Sequence, residues 1–105
     1  MASSKSNQQE PRIKEISITE DSLILDLVDG RTISAPLLWY PRLWHGTPKE
    51  RQHIEIFGEG KYLHWPDLDE DLTVAGILEG HRSYEGPISL QKWLDSRNGQ
   101  DKQTA

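Results

Sequence analysis

The run Ser22-Leu23-Ile24-Leu25-Asp26-Leu27-Val28, followed by Asp29-Gly30, limits the possible folds more than any other stretch of the chain. In an extended backbone Leu23, Leu25 and Leu27 fall on one side, with Ile24, Asp26 and Val28 on the other. That alternation marks a strand with one buried face. Asp29-Gly30 is the dipeptide of a tight two-residue hairpin turn, in which both central residues take positive φ. Arg31 to Ala35 returns with Ile33 and Ala35 aligned, which makes a third strand. Upstream, Ile16 and Ile18 share a face within residues 12–19, and Glu20-Asp21 reads as a turn. The first third of the chain therefore predicts a three-stranded antiparallel meander.

Pro36 ends that meander. The apolar, aromatic stretch from Leu37 to Gly46 has no clean period, but Pro41 is placed to open a short helical turn that Gly46 stops. Thr47-Pro48-Lys49-Glu50 is a capping box, with Thr47 as N-cap, proline at the first helical position and Glu50 at the third. The helix it starts must be brief, because His53 to Phe57 alternates again. Gly58-Glu59-Gly60 reads as a turn, and Tyr62 to Trp65 completes a second hairpin with Leu63 and Trp65 on one face. Pro66 breaks the strand. Thr73 is placed to cap a helix to about Glu79, closed by Gly80; β-branched Val74 and Ile77 would also suit a strand, but the compact apolar face favours the helix. Ser89 is expected to cap a last helix with the stripe Leu90, Trp93 and Leu94. Ile88 and Trp93 have the spacing of a hydrophobic staple, and Gly99 is the expected end. The predicted class is α+β: a small antiparallel sheet, made of the meander and the second hairpin, with two or three short helices.

With 105 residues the chain has room for one domain. Residues 1–11 and 98–105 are polar and cannot bury enough surface to offset the entropy of ordering, so both are expected to be disordered tails. Residues 12–97 form the expected domain, divided into a core at 12–80 and a C-terminal extension at 81–97. Only 34% of residues are hydrophobic, so the core must be compact, and a dimer interface is one way to share burial. The absence of cysteine removes disulfides, thiol chemistry and cysteine metal sites. The chain is expected to lack a secretory signal and a membrane span, and to be cytoplasmic. The net charge of −5, with Lys and Arg scattered, argues against direct contact with nucleic acid and fits solubility or a basic partner equally well.

The chemically loaded block is His64-Trp65-Pro66-Asp67-Leu68-Asp69-Glu70-Asp71-Leu72. Asp67, Asp69 and Asp71 alternate like the first ligands of a calcium loop. That loop also needs glycine at its sixth position and a carboxylate at its twelfth, and here those positions hold Leu72 and Leu78. The structural alternative places the acids just before a helix N-terminus, where negative charge is favourable. His45, His53, His64 and His81 show no zinc-ligand spacing. No nucleophile motif accompanies them, and Gly58-Glu59-Gly60 lacks the helix and further glycines of a phosphate loop. Trp39, Tyr40 and Trp44 lie in the connection, where aromatic residues either wall a small core or anchor an interface.

Together, Asp29-Gly30-Arg31, Pro36-Leu37, Tyr40-Pro41-Arg42-Leu43, Arg51, Ile54, Gly60, His64-Trp65-Pro66 with Leu68-Asp69-Glu70-Asp71-Leu72, Val74, Gly76-Ile77-Leu78 and Gly80 resemble the bacterial family called domain of unknown function 2442. The likeness runs from Arg12 to Gly80, and Ser89 to Leu94 resembles the tail of longer members. The resemblance implies an α+β fold of small antiparallel sheets and short helices. Some members resemble an N-terminal module fused to a helix-turn-helix domain. Only 25 residues follow Gly80 here, enough for one helix. Members are often encoded beside a second small protein, an arrangement suggestive of toxin–antitoxin pairs. No catalytic residues are established for the family, so none carry over.

These readings predict a non-enzymatic protein-interaction module, antitoxin-like or accessory, with a small protein or a second copy as partner. No catalytic, cofactor or metal residues are assigned. The candidate interaction residues are His64, Trp65, Pro66, Asp67, Asp69, Glu70 and Asp71, with Trp39, Tyr40, Arg42 and Trp44. Two other readings stand beside it: a metal-binding protein or metal-assisted hydrolase using Asp67, Asp69 and Asp71 with His64, and a transcriptional regulator acting through a DNA-binding partner.

Overall fold

The computed structural model describes residues 10–83 and 85–104, with side chains to Arg97. The meander forms as expected: β1 (Ile13–Ile18), β2 (Ser22–Leu27) and β3 (Thr32–Pro36) make an antiparallel sheet in that order. Ile13, Ile16 and Ile18 stand opposite Leu27, Leu25 and Leu23. A one-residue register shift between Ile13 and Glu15 makes this possible, because odd-numbered Ile13 and even-numbered Ile16 would otherwise face opposite sides.

The β2–β3 turn differs from the expected two-residue type. Leu27 N–H donates to Arg31 O at 2.8 Å and Gly30 N–H to Leu27 O at 3.0 Å, so Val28, Asp29 and Gly30 form a three-residue loop. Of these three only Gly30 has positive φ, at 97°. The Asp29 carboxylate accepts from Arg31 N–H and Nε, which holds Asp29 in place without the left-handed region.

Leu37–Trp39 makes a 3₁₀ turn, followed by α1 (Pro41–His45) and α2 (Pro48–Gln52). The capping box is complete, with Glu50 N–H donating to Thr47 Oγ1 and Thr47 N–H to the Glu50 carboxylate. The second sheet is β4 (Glu55–Phe57), β5 (Tyr62–Trp65) and β6 (Glu70–Thr73), in that order. Thus the second hairpin gains a third strand that alternation does not reveal: acids occupy half of Glu70–Thr73, and only Leu72 of that strand packs against the core. Thr73 caps α3 (Val74–Leu78), and Gly80 follows with φ of 80°.

The last helix, α4 (Pro87–Thr104), begins before Ser89 and passes Gly99. Pro87 supplies the first position, so Ser89 lies inside the helix and its hydroxyl donates to Glu85 Oε2 at 2.7 Å. Ile88 is 74% exposed and makes no staple. The backbone of 98–104 continues the helix where a tail was expected, while residues 1–9 of the N-terminal tail lie outside the described residues.

Both sheets turn their apolar faces into one core. Leu23, Leu25 and Leu27 meet Leu63 and Trp65, and Leu37, Tyr40, Leu43, Leu68, Val74 and Ile77 fill the space between. The sheets also touch through backbone. Ile13 N–H donates to Gly60 O at 2.8 Å, and a Cβ on Gly60 would lie 2.8 Å from Ile13 O. Gly60 has φ of 91°, so it faces both conformational strain and a collision with main chain. Gly30 has positive φ but open space. Gly30→Ala should cost about 1 kcal/mol and Gly60→Ala at least about 2, as read from urea unfolding midpoints. Equal losses would mean the inter-sheet contact at Gly60 is slack.

Candidate functional site

The block from His64 to Leu72 forms the bend between β5 and β6. Trp65 is fully buried and its indole N–H donates to Arg51 O at 3.0 Å. Pro66 turns the chain outward, Leu68 N–H donates back to Trp65 O, and buried Leu68 pins the bend. Asp69 takes positive φ, at 52°, and lets the chain return as β6. The acids therefore flank and enter a strand, which replaces the expected position just ahead of a helix.

This bend divides the four acids into two groups. Asp67 accepts from His53 Nδ1 at 2.8 Å and Asp71 from His64 Nδ1 at 2.6 Å. An ionised carboxylate only accepts, so each pair places the proton on Nδ1 and leaves Nε2 free. Asp69 and Glu70 instead lie near Arg42. Arg42 Nη1 donates to Asp69 O at 3.2 Å and approaches Asp69 Oδ2 at 3.5 Å. Among the described residues no three His, Asp or Glu side chains are grouped to hold a metal. Asp67, Asp69 and Asp71 diverge to different partners, which leaves the metal reading without a ligand set.

The outer face of the second sheet is ordered by strand register. Glu55, His64 and Asp71 form one cross-strand row, and Phe57, Tyr62 and Thr73 the next. All three residues of β4 are exposed, Ile56 at 47% and Phe57 at 52%. Phe57 stacks on Tyr62 with ring centroids 5.3 Å apart. A His–Asp pair completes a covalent hydrolytic triad only with a side-chain nucleophile in reach. Of the two hydroxyls in the neighbouring row, that of Tyr62 belongs to the stacked aromatic pair, and that of Thr73 is already the α3 cap and accepts from Gly76 N–H at 2.9 Å.

Arg42 organises the opposite side. Its Nε and Nη2 donate to the two Glu85 carboxylate oxygens at 2.8 and 2.7 Å. That fork holds the Glu85 carboxyl below the usual carboxylate range and Arg42 above its own. Glu70 faces the same guanidinium but is half-buried. Burial pushes it up to about 7, against the lowering effects of the Asp71 N–H and Arg42. Tyr40 is buried, and its hydroxyl donates to His81 O at 3.1 Å. Burial and the charge of Glu70 raise it. Trp39 lies under the Arg82 guanidinium at 4.5 Å, and Trp44 is 38% exposed.

The candidate residues thus do not form one patch. His64, Asp67 and Asp71 belong to the histidine pairs, Asp69, Glu70, Tyr40 and Arg42 to the arginine node, Trp65 and Pro66 to the scaffold, and Trp39 and Trp44 to the connection. Two participants had no signal as site residues. Glu85 is distant in sequence from Arg42, and Phe57 read only as one end of an alternating strand.

A family model described as a protein of unknown function, DUF2442, matches residues 13–83. No curated protein matches the chain. Among solved structures, a protein of unknown function from Rhodospirillum rubrum is 29% identical with a TM-score of 0.63, and the match covers 73% of this chain and 95% of that one. An uncharacterized protein from Chromobacterium violaceum shares the fold at 19% identity with a TM-score of 0.60, covering 91% of this chain and 83% of that one.

The raised value of Glu70 has a consequence for stability. Between its ordinary 4.5 and about 7 the folded state holds a proton that the unfolded state releases, so the contribution is complete below 4.5 and is lost as pH rises through about 7. With solvent screening of a partly exposed group allowed for, the loss should be about 1–2 kcal/mol. Glu70→Gln should match the parent protein near pH 5 and exceed it in urea resistance at pH 8. A constant gap between the two across that range would refute the assignment.

Proposed function

The chain belongs to the DUF2442 family, and on that premise we propose that it is a non-enzymatic protein-interaction module that docks a small basic protein on the outer face of its second sheet. The observation that supports this most directly is the outer face of the exposed edge strand β4, where the stacked Phe57–Tyr62 pair lies beside Glu55 and Asp71. Exposed aromatic area next to acids suits a segment bearing Arg or Lys, whose long stems cover rings while their charges meet carboxylates. In this reading the chain is the acidic, antitoxin-like half of a two-protein system, acts in the cytoplasm and leaves any DNA contact to its partner. No helix among the described residues is long and apolar enough to cross a membrane.

The test uses a twelve-residue Arg- and Lys-rich peptide and its Glu-substituted counterpart. Amide shift changes on adding the basic peptide should concentrate at 55–57, 62–64 and 71. Phe57→Ser and Asp71→Lys should each weaken binding about tenfold, or about 1.4 kcal/mol, with the urea midpoint nearly unchanged. Shift changes spread evenly over every acidic residue, or full binding by Phe57→Ser, would overturn the reading.

A further inference from the structure

Like α2, β4 and β6, the C-terminal helix has no fully buried side chain among those described, and Trp93 is the one that packs against the core. Leu90 and Leu94 on the same stripe are half-buried, and the polar ties to the domain are ionic. Glu85, just before the helix, fills the Arg42 fork, and Ser89 Oγ donates to the same carboxylate. Arg97 donates to both Glu50 oxygens at 3.2 and 2.9 Å. The Trp93 ring lies against both guanidiniums, 5.1 Å from Arg42 and 4.8 Å from Arg97.

We propose that α4 is a reversible strap, held over Arg42 by this electrostatic clamp, and that it lifts as pH or salt rises. The domain beneath is complete without it. The connection is already stapled at its near end, where Tyr40 donates to His81 O and Ser83 N–H to Trp39 O, and the family match stops at residue 83. Lifting the strap therefore exposes little core. Salt weakens guanidinium–carboxylate attraction, less at the enclosed Arg42–Glu85 fork than at the more exposed Glu50–Arg97 pair, whereas docking through apolar surface would not weaken in this way.

The pH dependence follows from the groups facing Glu70: Arg42 of α1, Tyr40 before it, Asp71 beside it, and Glu85 at the foot of the strap, with Asp69 also on Arg42. A seated Glu85 repels an ionised Glu70 and engages the guanidinium that would neutralise it. Seating thus favours protonated Glu70, and by reciprocity ionisation of Glu70 favours lifting. A lifted strap frees the Arg42 fork, a two-pronged carboxylate receptor that Glu85 fills from within the same chain.

The chain has no cysteine, so Lys49→Cys with Ser96→Cys places two spin labels uniquely, one on each side of the Glu50–Arg97 pair. Pulsed electron paramagnetic resonance on the full chain should give one short distance at pH 5.5 in 50 mM NaCl. At pH 8.5, and again in 1 M NaCl, a longer and broader population should grow at least threefold. Adding Glu70→Gln should abolish the pH response and keep the salt response. Glu85→Gln should favour the long population under every condition, with the sheet amide signals intact. A single short distance throughout, a distance that tightens in salt, a broad distribution at pH 5.5 and low salt, or a pH response that survives Glu70→Gln would each overturn the proposal.

Discussion

The indole of Trp65 is the contact on which the other elements depend. It is fully buried at the end of β5, and its one polar atom donates to the backbone of Arg51. Arg51 in turn reaches back with Nε to Leu43 O at 2.8 Å and with Nη2 to Trp44 O at 2.7 Å. One side chain thereby links the second sheet to α2 and, through Arg51, to the C-terminal carbonyls of α1. Those helices have five residues each, too short to persist on propensity alone. They hold because their ends are satisfied by groups anchored in the core.

From that anchor the molecule divides into two polar surfaces with different physics. On the outer face of β4–β5–β6, imidazole–carboxylate pairs and a stacked aromatic pair lie open to solvent. Pairs of this kind add little to stability when exposed, so the arrangement matters for what it presents. Around Arg42 the charges are more enclosed: Arg42 and Glu85 side chains are 18% and 10% exposed. There the same chemistry shifts ionisation and ties an element outside the matched family region to the domain.

Much of the fold was legible because it obeys local rules. The Leu23–Leu25–Leu27 alternation, the Thr47–Glu50 capping box, the Pro41 helix start and the Thr73 and Gly80 helix limits all appear in place, since each depends on residues within a turn or a strand of one another. The misreadings came where a contact that residue type alone does not reveal outweighs the signal that residue type gives. β6 looks like a charged loop, yet it is a strand because β5 offers it a partner edge and Leu68 pins the bend. The Asp29-Gly30 turn lengthens by one residue because Asp29 bonds to Arg31. Ser89 is a good cap by type, but Pro87 opens the helix two positions earlier and Glu85 takes the hydroxyl.

By itself the sequence determined the α+β class, the meander and the identity of the acid block, because periodicity, proline and glycine constrain the backbone whatever surrounds them. Only the tertiary structure decided how that block is used. The bend at Pro66 sends Asp67 and Asp71 to histidines and leaves Asp69 and Glu70 near Arg42, so one run of acids becomes two sites. The pairing of Arg42 with Glu85 spans forty-three positions. Such a pair follows from how the finished core presents its surface, and nothing within a few residues of either partner encodes it.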